Sequence, residues 1–156
     1  TDIIRDLAAC RRYGSNFLLN VGPLGDGSLR LIDYAILDIV GQWVELSKEA
    51  IYTPRPTEIP VCGREDSFIL RDKGCYYLFC DRLPMVSDPN VALHTDINYQ
   101  LEFPFNERIK SIQWLDNGTP VEYVQQEGQV VVHTVPFTYG RSLVVRIAKI
   151  TTEQSL

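Results

Sequence analysis

Clustered basic charge is what this chain most plainly lacks. Its 15 Lys and Arg are outnumbered by 20 Asp and Glu, giving a net charge of −5. A nucleic-acid or anionic-membrane surface needs grouped cations, so neither partner is expected. No apolar run approaches the roughly 20 residues that cross a bilayer, so no membrane span is expected either. Methionine occurs once, at Met85, and Thr1-Asp2 leads straight into a helical pattern without a signal-like segment. The chain is therefore expected to be a processed piece that begins in the middle of a protein. Cysteine is sparse. Cys10, Cys62, Cys75 and Cys80 form no CxxC pair, and His94 and His133 lie far from them in sequence, so no zinc site is expected. Cys75 and Cys80 fall in one expected strand on opposite faces, which excludes a mutual disulfide. Four free, mostly buried thiols are expected, with a bridge through Cys62 as the alternative.

What is present suffices for a real core. At 156 residues and 45% hydrophobic, the chain fits one domain, or one domain plus a fragment. Residues 2–12 space Ile3, Ile4, Leu7, Ala8 and Cys10 as a helix, which Gly14 can end. Residues 16–21 form a continuous apolar run that stops at Gly22-Pro23, as a strand between parallel neighbours does. Ser28 can cap a second helix running to about Ser47. In it Leu29, Ile32, Ile36, Leu37, Val40, Trp43 and Val44 make one apolar stripe. The alternative is a helical hairpin with an apolar linker.

Residues 52–60 carry Pro54, Pro56 and Pro60 and read as an extended linker. Beyond them the period changes from 3.6 to 2. Strands are expected at 67–71, 75–80, 97–103, 109–115, 120–125, 129–135 and 143–149. Asn117-Gly118 and Glu127-Gly128 fall between successive runs, so a meander of hairpins is expected. The fold class is mainly β: an antiparallel, Greek-key-like sandwich of about seven or eight strands behind a helix–strand–helix segment.

The stretch Asn16-Phe17-Leu18-Leu19-Asn20-Val21-Gly22-Pro23, the turn Gly25-Asp26-Gly27, the helix Ile39-Val40-Gly41-Gln42-Trp43 and the exit Glu49-Ala50-Ile51-Tyr52 with Arg55-Pro56 together resemble glycoside hydrolase family 29, the α-L-fucosidases. The match covers about residues 14–56. It departs at Ser47-Lys48, where the family usually has Asn-Gly, and at Pro54, which interrupts Tyr-x-Thr-Arg-Pro. The later segment Lys73-Gly74-Cys75-Tyr76-Tyr77 is similar to the family's C-terminal sandwich. The resemblance implies that residues 1–51 are the end of a (β/α)8 catalytic barrel, with 16–21 its last strand. Residues 52–60 would link it to a C-terminal sandwich at 61–156.

A complete barrel takes about 250 residues, so most of it would lie outside this chain. The family's nucleophilic Asp and acid/base Glu would lie upstream of Thr1. No catalytic, substrate-binding or metal residue can be carried onto this sequence, no cofactor is implied, and the chain alone is expected to be inactive. By resemblance, the parent removes terminal α-L-fucose from glycans with retention, in a secreted, periplasmic or lysosomal setting. The implied partners are fucosylated glycans, through the parent enzyme, and the remainder of the barrel. Self-association of the fragment follows if its apolar stripe stays bare. A stand-alone carbohydrate-binding sandwich is the alternative function.

The residues themselves offer little that points to chemistry. A retaining glycosidase needs two carboxyls about 5–5.5 Å apart. Asp26, Asp66, Asp72, Asp81, Asp88, Asp96 and Asp116 instead read as turn or solvated residues. Asn20 suits a hydrogen bond holding Gly22-Pro23, or support of a sugar pocket from the end of a barrel strand. His133 reads as a strand-face histidine, His94 has no partner pattern, and nothing joins Cys10 into a hydrolase triad. The Gly22–Gly27 loop lacks phosphate-cradle spacing. Asn117-Gly118-Thr119 matches the glycosylation triplet but fits a tight turn better. Tyr76, Tyr77, Phe79, Tyr99, Phe103, Phe105, Trp114, Tyr123, Phe137 and Tyr139 could face sugars or fill a core, and burial is the expectation for Trp114.

Overall fold

The computed structural model of the chain describes residues 2–87, 99–140 and 142–154. Helix α1 covers Asp2–Arg12 and α2 covers Leu31–Ile51. Ten strands follow: β1 (Arg55–Pro56), β2 (Phe68–Asp72), β3 (Cys75–Asp81), β4 (Met85–Val86), β5 (Gln100–Pro104), β6 (Ile109–Trp114), β7 (Glu122–Gln126), β8 (Gln129–His133), β9 (Phe137–Thr138) and β10 (Val145–Thr152). A five-stranded antiparallel sheet has the order β1-β2-β3-β10-β6, and a three-stranded antiparallel sheet has β5-β8-β7. Strands β4 and β9 form a small parallel pair. The expected antiparallel sandwich is present; the strands not anticipated are the two-residue pieces β1, β4 and β9.

The central sheet is covered on both faces. On one face Phe68, Leu70, Tyr77, Phe79, Val145 and Ile147 lie under the helices. There Trp43 of α2 donates its indole N–H to the Val145 carbonyl at 2.7 Å, and Lys149 meets Glu49 at 3.0 Å. On the other face Ile69, Tyr76, Leu78, Ala148 and Ile150 turn toward the three-stranded sheet. Tyr76 meets Phe105 edge-on there, with centroids 4.8 Å apart. Double coverage explains why β3 is an unbroken apolar run, whereas β5 and β8 alternate buried and open residues. The result is three layers: helices, five-stranded sheet, three-stranded sheet.

Of the expected hairpins, β7–β8 forms at Glu127-Gly128, both with positive φ (50° and 76°), as a two-residue turn requires. The Asn117-Gly118 turn behaves differently. It carries the chain from one sheet to the other, and the two runs are joined by the isolated bridge Gln113–Pro120 and by side-chain bonds of Tyr123 and Gln125 to the Ile109 backbone, not by a ladder. The proline-rich linker is not merely a connector, because β1 within it adds an edge strand to β2.

Residues 16–21 are not a strand. They run without ladder hydrogen bonds, and Leu18 is 82% exposed. An apolar segment is held as a strand only where neighbours accept and donate along it, and no described strand flanks this one. Helix α2 also starts later than expected. Ser28 spends its N–H and hydroxyl on Asp26 Oδ1, at 2.9 and 2.6 Å, instead of capping the helix. Arg30 is the N-cap, and its backbone N–H and guanidinium both reach the Asp33 carboxylate. The apolar stripe of α2 divides in two: Trp43, Ser47, Ala50 and Ile51 are buried, whereas Leu31, Ile32, Tyr34, Ile36 and Ile39 are exposed. The four thiols are free, but only Cys80 is fully buried; Cys10 and Cys75 are half-buried and Cys62 is exposed.

Candidate functional site

Among the described acidic residues Asp6, Asp66 and Asp81 line one cavity, and the others are scattered. Asp26 is held by Ser28, whose hydroxyl and N–H keep its carboxyl below the ordinary range. Asp72 accepts from the Thr53 hydroxyl at 2.6 Å. Asp66 and Asp81 belong to a run of charges between α1 and the sheet: Arg5 reaches Asp81 at 3.1 Å, and Arg82 reaches Asp81 at 2.9 Å and Asp66 at 3.6 Å. Arg12 closes the run on Asp66 at 3.3 Å while passing over the Phe68 ring. A cavity of about 250 Å³ opens beside these groups. Asp81 and Asp66 are each engaged by guanidinium groups, which is a structural use of both carboxylates. Asp88, Asp96 and His94 lie outside the described residues.

A second cluster sits where β6 ends and β10 begins. Arg146 grips Asp116 with Nε and Nη2 at 2.8 and 3.2 Å, both side chains being 6% exposed. The guanidinium lies over the Trp114 ring, 4.1 Å from its centroid. Trp114 itself is 2% exposed, so it is a core residue and offers no flat face to a sugar. The cluster lines an open cleft of about 370 Å³, walled by Pro120, Pro136, Phe137 and Leu143 and rimmed by Asn117, Thr119 and Thr138. Asn117 keeps its turn by accepting the N–H and hydroxyl of Thr119 on Oδ1, at 3.0 and 2.8 Å. The glycosylation triplet is thus a turn in this structure.

Other candidates find ordinary places. Asn20 is exposed, and among the described residues it makes no hydrogen bond to Gly22-Pro23. His133 stands half-buried on β8 with Gln100 at 3.5 Å. Cys10 lies on α1, where its carbonyl accepts from the N–H and hydroxyl of Ser15. Tyr139 is 64% exposed, whereas Tyr76, Tyr77, Phe79, Phe103, Phe105 and Phe137 are buried. Among the described residues no group of three or more His, Cys, Asp or Glu side chains could hold a metal ion, and no helix is long and apolar enough to cross a membrane.

A further open feature is on α2. Trp43 sits by Val145 and Glu49 by Lys149, so the helix runs in step with β10. Its twelve residues before Trp43 extend past the Val145 end of the sheet by about 18 Å at 1.5 Å per residue. Leu31, Ile32, Tyr34, Ile36 and Ile39 among them are bare, whereas Leu37 is half-buried and Val40 packs partly against the core. A groove of about 720 Å³ between Ile39, Trp43, Leu46, Met85 and Tyr139 continues that surface. Sequence reasoning found the stripe but missed both charge clusters, whose partners lie 76 and 30 residues apart.

No family model matches the chain. Curated proteins do. Tissue α-L-fucosidase of Mus musculus is 38% identical over 58 residues, covering 37% of this chain and 13% of that protein. The human tissue α-L-fucosidase is 37% identical over 59 residues, and an α-L-fucosidase of Branchiostoma floridae is 24% identical over 144 residues, or 91% of this chain. The matched region is 13% of the human protein and 30% of the Branchiostoma protein, so the chain corresponds to a minor part of each. Among solved structures, the α-fucosidase of Thermotoga maritima superposes with a TM-score of 0.67 at 16% identity, over 96% of this chain and 33% of that one. The GH29 α-L-fucosidase of Bacteroides thetaiotaomicron gives 0.69 at 16% identity, over 96% and 31%. Local sequence matches and fold together align the chain with the C-terminal portion of family 29 α-L-fucosidases.

Proposed function

We propose that this chain is the non-catalytic C-terminal part of an α-L-fucosidase-like retaining glycoside hydrolase. Residues 1–51 complete a (β/α)8 barrel, residues 52–60 connect, and residues 61–156 brace the barrel from one side. The parent removes terminal α-L-fucose from glycans through a covalent glycosyl-enzyme on an Asp, with a Glu as acid/base, and this chain contains neither. One observation carries the reading. Helix α2 buries Trp43, Ser47, Ala50 and Ile51 on the sandwich while Leu31, Ile32, Ile36 and Ile39 face open space beyond the sheet. An apolar half-helix of that kind is shaped for a surface supplied by another part of the protein. The unladdered 16–21 run beside it wants parallel neighbours in the same way.

The test is hydrolysis of an aryl α-L-fucoside by the 156-residue chain and by the same chain extended with the residues encoded before Thr1. Turnover by the extended protein alone supports the proposal. Turnover by the 156-residue chain, in a preparation free of other glycosidases, overturns it.

A further inference from the structure

We infer that the cleft between the β6–β7 turn and the β9–β10 connection is a binding site for one neutral sugar ring. The cleft combines apolar walls and polar groups in about equal measure, more polar than most small-molecule sites and suited to a ligand rich in hydroxyls. Its volume, about 370 Å³, is near the lower end for such sites and suits a single ring rather than an oligosaccharide.

The polar groups decide the ligand's charge. Among the described residues that line the cleft the charged ones are Arg146 and Asp116, one of each sign and paired, so this lining favours neither a phosphate, a carboxylate nor a cation. What it offers is unspent hydrogen-bonding capacity on rigid supports. Arg146 uses Nε and Nη2 on Asp116, leaving Nη1. Asn117 uses Oδ1 on Thr119, leaving the Nδ2 donors. The Thr138 hydroxyl, exposed on β9, has no partner among the described residues. Two donors and a hydroxyl, arranged around Phe137, Pro120 and Leu143, match a ring with hydroxyls on its edge and C–H groups on its faces. Trp114, with one face under the guanidinium, contributes only wall. The cleft lies at the end of the sheet past which α2 projects, so in the proposed parent it is on the barrel's side of the sandwich. Only that last placement depends on the proposed function; the binding itself does not.

The experiment is a ¹H–¹⁵N titration of the 156-residue chain with methyl α-L-fucoside and, separately, methyl β-D-galactoside. The chain has two tryptophans, so two indole signals report: Trp114 from the cleft and Trp43 from the helix layer. With either sugar, the Trp114 indole and Asn117 amide signals are expected to move saturably, with a Kd on the order of 1–10 mM, while Trp43 stays. Asn117→Asp, which keeps the Oδ1 acceptor for Thr119 and removes the Nδ2 donors, and Thr138→Val, at an exposed position, should each weaken binding about fivefold while the rest of the spectrum is kept. Three results overturn the inference: no movement at on the order of 100 mM of either sugar; equal movement with ethylene glycol or inorganic phosphate; or unchanged affinity in both variants. None of these touches the hydrolysis test above, so the two readings fail separately.

Discussion

Trp43 and Val145, 102 residues apart, are joined by an indole N–H···O=C bond of 2.7 Å that fixes α2 to the first residue of β10. The tryptophan is 1% exposed, so the bond is made in a dry layer where an orphaned carbonyl is costly. Trp43→Phe keeps most of the apolar area and removes the donor. It should lower unfolding free energy by about 1–3 kcal/mol, and Trp43→Ala by about 3–5 kcal/mol, in urea titrations followed by circular dichroism. An unchanged midpoint in W43F would mean the helix is held by area alone.

The charge run between α1 and the sheet should be uneven in its energetics. Asp81 has a side chain 5% exposed and receives both Arg5 and Arg82, whereas Arg12 and Asp66 meet in solvent at 36% and 54% exposure. Asp81→Asn leaves two guanidinium groups facing a neutral amide and should cost about 1–3 kcal/mol. Arg12→Ala should cost under about 1 kcal/mol and lose even that in high salt. Equal losses in the two variants would make the run a surface feature throughout.

Alkaline pH should unfold the chain through two buried acids. Burial pushes the Cys80 thiol from 9.0 up to about 12. Burial, reinforced by the hydrogen bond to the Glu107 carboxylate, pushes the Tyr76 hydroxyl from 10.0 up to about 12. In the unfolded chain both groups release their protons nearer their ordinary values, so the unfolded state gains as pH rises. Stability from these groups is whole below about pH 9 and declines from there to about pH 12, first through Cys80 and then through Tyr76. Urea midpoints measured across that interval should fall steadily. In the folded chain at neutral pH a thiol reagent should label exposed Cys62 and reach Cys80 only on unfolding.

The bare half of α2 should make the chain associate. Leu31 is 88% and Ile32 57% exposed, and Ile36 and Ile39 continue the same surface. Sedimentation velocity should show a concentration-dependent shift to larger species. Ile32→Glu with Ile36→Glu should return the chain to monomer without moving its unfolding midpoint by more than about 0.5 kcal/mol. A wild-type chain that stays monomeric throughout would remove this expectation.

The sequence disclosed these elements unequally. Residues 2–12 and the Glu127-Gly128 hairpin were legible because their signals are local: apolar spacing in one, a positive-φ turn in the other. The phase of α2 was legible too, but not its burial, since an apolar stripe shows which side wants a neighbour and not whether one is there. Residues 16–21 illustrate the same gap, being strand-like in pattern and unpaired in fact. The Arg5–Asp81 and Arg146–Asp116 pairs left no trace, because each joins residues that only the sheet order brings together. A charged residue in a strand reads as solvated until the layer above it is known.

The two flanks of the central sheet carry one more implication. Its outer members are β1, two residues long and ending in Pro56, and β6, met along its free side by Pro120. A proline has no N–H to extend a ladder, and a two-residue border gives little template. Copies of this chain that meet through the bare helix therefore have no ready way to extend the five-stranded sheet. Assemblies built on that helix alone should stay small and dissolve on dilution.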